Sequence, residues 1–173
     1  MLLKTILVLA TATIGNVLAI TNSQQTVDNI NALTKKTQIA KQALENYNGG
    51  ISGGLLIARA IYNAHSSAVA ARNSMGSSDP FSGEDSDLTL DAYNQFTPVL
   101  LSALEVAQVK APLVKNSGLA YPAQGMISNL YNEKSRFEEA MHGQLSNEHS
   151  LMIKPSVDQI DREFKKTLDS FSD

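Results

Sequence analysis

The chain has 173 residues, 43% of them apolar and 18% charged, with a formal net charge of −3. That length fits one domain and that apolar share is enough for a packed core. The acidic balance without a basic cluster excludes nucleic acid and anionic membrane surfaces as electrostatic partners. The absence of cysteine excludes disulfides, a thiol nucleophile and thiolate metal ligation.

The N-terminus reads as a secretory signal over residues 1–19. Lys4 supplies the positive end, residues 5–14 are apolar apart from threonines, and Val17-Leu18-Ala19 offers small residues for cleavage. The competing reading is a buried N-terminal helix. The apolar run is too short to span a bilayer. The polar end, Leu168 to Asp173, lacks the tail of a lipid-anchor signal, and no N-x-Ser/Thr sequon occurs. The expected product is one secreted, extracellular domain over residues 20–173, with no transmembrane anchor.

Ile30, Leu33, Thr37, Ala40, Leu44 and Tyr47 recur at spacings of three and four, predicting an amphipathic helix over residues 24–47. Four glycines at 49, 50, 53 and 54 follow, and predict a helix–helix corner. Ser52 is placed there to cap a second helix, 52–72. That helix is apolar almost all round, with many alanines, and is therefore expected at the centre of a bundle. Residues 73–87 form a polar loop, with Ser86 or Asp87 as the next N-cap.

A third helix carries Leu90, Tyr93, Thr97, Leu100, Leu104 and Ala107 in phase, with a kink or break expected at Pro98. Pro112 to Pro122 reads as a connector, and residues 123–142 as a fourth helix. Pro155 is expected to open a fifth, where Val157, Ile160, Phe164, Leu168 and Phe171 make one stripe. No segment alternates with the period of a strand. The fold class is therefore all-α, a single antiparallel bundle of about five helices without disulfides.

Catalysis finds weak support. Gly50-Ile51-Ser52-Gly53-Gly54 spells the G-x-S-x-G of a hydrolase nucleophile turn, but that turn needs a strand before the serine, and here a helix precedes it. A triad would require His142 or His149 beside Asp79, Asp85, Asp87 or Asp91, and the spacing does not bring them together. His65, His142 and His149 lack the spacing of a zinc helix motif. The acidic run 84–87 lacks the alternation of a calcium loop, and no phosphate-binding loop occurs. No metal and no cofactor are expected.

What remains is apolar. The alanine-rich second helix leaves room for close helix packing or for a cavity, and Met126, Met141 and Met152 suit an adaptable lining. The inward stripe is Leu56, Ala60, Phe96, Leu100, Met126, Leu130, Phe137, Met141, Ile160 and Phe164. Tyr47, Ser52 or Ser67 would hydrogen-bond a buried polar head. A purely structural core is the alternative for each of these residues.

Several of these features together resemble the fungal hydrophobic surface-binding protein A family, whose domain also occurs in cell-wall galactomannoproteins. The carriers are Tyr47, Gly49 and Gly50, the alanines at 58, 60 and 64, Phe96-Thr97-Pro98-Val99-Leu100, Lys110-Ala111-Pro112 and Gly118. The resemblance implies a non-enzymatic secreted protein that holds a fatty acid or other lipid in its core. A second implied role is adsorption to hydrophobic surfaces with recruitment of a secreted esterase. Cell-wall association is left open, because the chain lacks a Ser/Thr-rich stalk. The resemblance assigns no individual site residue.

Overall fold

The computed structural model describes residues 22–76 and 80–172, so the signal segment 1–19 lies outside the described residues. Five helices follow one another: α1 (Asn22–Glu45), α2 (Ile51–Met75), α3 (Gly83–Asn116), α4 (Ala120–Gln144) and α5 (Asn147–Phe171). Consecutive helices reverse direction, as a bundle with short connections requires.

The order in which they touch decides the architecture. α1 packs on α2 and α3, α3 on α5, α5 on α4, and α4 back on α2, with a weaker contact between α3 and α4. The helices thus close into a ring, and none of them lies at its centre. This corrects the expectation for α2. Its alanine face (Ala60, Ala64, Ala68, Ala71) is buried, whereas Ile51, Leu55, Leu56 and Tyr62 are exposed.

Helix boundaries follow local chemistry. At the first corner Gly49 (φ 101°) and Gly50 (φ 82°) take left-handed backbone that side chains disfavour. Gly50, not Ser52, stands at the N-cap of α2, and no side chain caps that helix. Ser82, rather than Ser86 or Asp87, caps α3 by accepting from the Asp85 backbone N–H.

α3 runs unbroken through Pro98 and Pro112; of the kink or break expected at the first there is no break, and the connector expected from the second is helix as far as Asn116. Each proline removes one donor, but its ring sits within a helix whose buried face (Ala92, Phe96, Leu104, Ala107, Val114) is held by neighbours on both sides. α3 is also long and apolar enough to cross a membrane by length and composition. α5 begins at Asn147, capped by Ser146, so Pro155 lies inside it rather than at its start.

Candidate functional site

A ring of five helices leaves its axis to be filled by side chains alone. α1, α2 and α3 present Ala40, Ala64, Ala68, Ala103 and Ala107 toward the axis, and the space is not filled. A cavity of about 90 Å³ results, lined by residues of all five helices. A second, of about 150 Å³, lies under the glycine corner between Tyr47, Ile57, Val114, Ala123 and Phe171. The two share Leu44, Ile61, Ala107 and Ile127, which form a thin septum between them. On α4 the combined lining runs from Pro122 to Glu138, about 24 Å at the helical rise. That length suits an extended long-chain acyl group. The apolar stretches of such a void stay dry and accept apolar guests.

The far end of the first cavity is polar. Lys134 and Glu138 of α4 both line it, and both side chains are buried, at 9% and 8% exposure. Lys134 Nζ donates to Glu138 Oε2 at 2.5 Å and to Asp161 Oδ1 of α5. The Tyr93 hydroxyl of α3 donates to Glu138 Oε1 at 3.4 Å. Burial, only partly opposed by Lys134, pushes the Glu138 carboxyl up to about 7. Burial and the neighbouring Glu138 raise the Tyr93 phenol as well. The hydroxyl of Thr167, on the same lining, accepts from Gln108 Nε2 at 3.1 Å.

Of the stripe expected from sequence, Phe96, Leu100, Leu130, Phe137, Ile160 and Phe164 line the first cavity. Met126 and Tyr47 line the second. Ala60 and Met141 are buried in the walls and line neither cavity. Ser67 is half-buried and also lines neither. Two placements are corrected. Leu56 is 68% exposed and Ser52 is exposed, because the outward face of α2 at its N-terminal turn looks away from the ring. The Tyr47 hydroxyl is engaged with the Gly50 carbonyl at 3.2 Å.

Lys134, Glu138, Tyr93 and the septum residue Ala107 went unrecognised. A signal existed for two of them: Ile127, Leu130, Lys134, Phe137, Glu138 and Met141 share one helical stripe, so a cation and an acid sit on the inward face.

One further group is brought together. His149 Nε2 lies 2.8 Å from Asp87 Oδ1, and its Nδ1 lies 2.6 Å from Ser146 Oγ. Nothing in the spacing along the chain joins a histidine to these aspartates. The Ser146 oxygen, however, accepts the His149 backbone N–H as the cap of α5, and none of the three residues lines either apolar cavity. The geometry is that of a helix cap tied to α3. Among the described residues no cluster of His, Cys, Asp and Glu is arranged to hold a metal ion.

Residues 23–143 match the family model described as hydrophobic surface binding protein A. Among solved structures, the protein AfMP4p in complex with palmitic acid superposes with a TM-score of 0.84 at 15% identity, over 87% of this chain and 99% of that one. Ligand binding domain 1 of the Penicillium marneffei MP1 protein, complexed with arachidonic acids, gives a TM-score of 0.82 at 10% identity, over 88% and 100%. Domain 2 of the same protein, with multiple arachidonic acids, gives 0.76 at 14% identity, over 87% and 94%. At these identities the likeness is one of fold. No curated protein matches the chain.

Proposed function

The chain belongs to the hydrophobic surface binding protein A family, and we propose that it is a non-enzymatic carrier that takes a long-chain fatty acid into the axis of its helical ring. The observation that carries this reading is the pair of apolar cavities meeting end to end, walled by all five helices. A ligand there gains roughly 0.8 kcal/mol for each methylene withdrawn from water. Three solved structures of the same fold, named for complexes with palmitic or arachidonic acids, support the choice of ligand class. Residues 1–19 act in this proposal as a secretory signal, which delivers the carrier outside the cell, in solution or at the wall.

The test is native mass spectrometry of the secreted protein, followed by solvent extraction. A discrete added mass equal to one or two fatty acids is expected. A bare mass that stays unchanged after incubation with palmitate refutes the carrier.

A second reading rests on the outer face of α2. Ile51, Leu55 and Tyr62 recur at helical spacing, Leu56 flanks them, and all four are two-thirds exposed, Ile51 and Leu55 also lining the second cavity. A patch of this kind marks a contact surface. On this reading the protein coats hydrophobic solids and presents a secreted esterase to them. Depletion by polymer beads of protein carrying no extractable lipid selects it over the carrier.

A further inference from the structure

The polar end of the first cavity has an unusual charge balance. Lys134 stands between two acids, Glu138 beside it on α4 and Asp161 on α5. Among the described residues the remaining titratable neighbours are Tyr93 of α3, which donates to Glu138, and Tyr131 of α4, whose ring lies 5.8 Å from the Lys134 ammonium. α1 and α2 line this cavity only with aliphatic residues and Thr37. With Glu138 ionised the cluster carries one net negative charge, the Lys134 and Glu138 side chains buried and Asp161 one-third exposed. With Glu138 protonated it is neutral.

An ammonium has three donors, and two of Lys134's are engaged. The third can meet a ligand carboxylate entering along the cavity. Three carboxylates around one buried ammonium are disfavoured by like-charge repulsion and desolvation. One of them must therefore carry a proton.

We propose that Lys134 and Glu138 form the headgroup site of this cavity, and that a long-chain carboxylate enters it together with one proton, held on Glu138. The ligand carboxylate accepts a hydrogen bond from Lys134. Glu138 takes its proton from solvent, so the charge of the cluster plus ligand stays at one negative unit. This rests on the carrier reading and adds the place and the charge state of the head. Glu138 is already poised for the uptake, since burial holds its carboxyl at about 7 before any ligand arrives. A neighbouring carboxylate raises it further.

The test measures the affinity of the full protein for palmitate and for the alcohol of the same chain length, from about pH 6 to about pH 9. Linkage predicts that palmitate affinity falls up to about tenfold per pH unit above about 7, and that alcohol affinity does not change. Titration calorimetry in buffers of different ionisation enthalpy should show close to one proton taken up per palmitate at about pH 8, and none with the alcohol. In Glu138→Gln the palmitate profile should be flat, with tighter binding than wild type at the alkaline end.

Palmitate bound without proton uptake, or a Glu138→Gln profile as steep as wild type, overturns the proposal and leaves the carrier intact. Failure of both palmitate and alcohol to bind at any pH removes the carrier, and this site with it. The calorimetric arm needs no variant, so the proposal stays refutable if Glu138→Gln does not fold.

Discussion

Ala107 is the position where the carrier mechanism is most exposed to refutation. It is buried, lines both cavities, and shares the septum with Leu44, Ile61 and Ile127. Ala107→Phe adds roughly six carbons at that point, directed into space that is already open. Overpacking a filled core costs about 1–3 kcal/mol, but burial of the ring contributes roughly 1.5–3 kcal/mol in the opposite sense. Net stability should therefore stay within about 2 kcal/mol of wild type. The ligand has no such compensation. A tail that loses the room of roughly six methylenes forfeits about 5 kcal/mol at 0.8 kcal/mol each, or about three to four orders of magnitude in affinity.

The assay is displacement of a fluorescent fatty acid by palmitate, with thermal unfolding run on the same samples. A matched control is Val109→Phe, two residues away on α3 and 77% exposed, where stability should shift by less than about 0.5 kcal/mol and affinity not at all. Because the plug sits at the septum, fatty acids short enough to occupy one cavity should lose far less than palmitate. A folded Ala107→Phe protein that binds palmitate as tightly as wild type refutes the claim that the acyl chain passes through the septum.

Glu138 also makes a stability prediction. Its folded value, about 7, lies above the ordinary glutamate value of 4.5, so the fold favours the protonated form. That contribution is fully present below the unfolded value and is lost as pH rises through about 7, on the order of 3 kcal/mol in all. Denaturant melts at about pH 5 and about pH 8 should show this loss in wild type and a much smaller one in Glu138→Gln. Arg72 Nε donates to Glu133 at 2.6 Å, and the Glu133 side chain is only 4% exposed. Arg72→Ala leaves that acid buried with the exposed Arg136, 4.0 Å away, as its remaining ion-pair partner among the described residues, and should cost about 3–5 kcal/mol in urea melts, whereas replacing both partners by aliphatic residues should recover most of it. On the outer face of α2, Leu56→Glu with Tyr62→Glu should abolish retention on polystyrene beads with a stability change under about 1 kcal/mol, since neither residue lines either apolar cavity. Retention equal to wild type would separate adsorption from this patch.

Much of the architecture lies in local sequence. The stripes from Ile30 to Tyr47 and from Ile160 to Phe171 fix two amphipathic helices. The glycines at 49 and 50, with positive φ, fix a corner that other residues would resist. The all-α class follows, because no period-two segment competes. Two boundaries at prolines differ from the local expectation. Pro112 and Pro155 both read as the end or start of a helix, yet both lie inside one. Propensity is local, and packing on the neighbours outweighs one missing donor.

The site was legible only in part. Periodicity located Phe96, Leu100, Leu130, Phe137, Ile160 and Phe164, because facing inward is a property of each helix by itself. It could not say that α2 stands in a ring rather than at its centre, so Leu56 was turned inward when it faces solvent. Nor could it decide whether the alanines of α2 and α3 allow close packing or leave a void. That depends on how five helices close around an axis, and only the order of their contacts settles it. The pairing of Lys134 with Asp161, across 27 positions of chain, has the same origin. Sequence assigned which faces are apolar; tertiary closure decided that they surround a cavity and that one end of it carries charge.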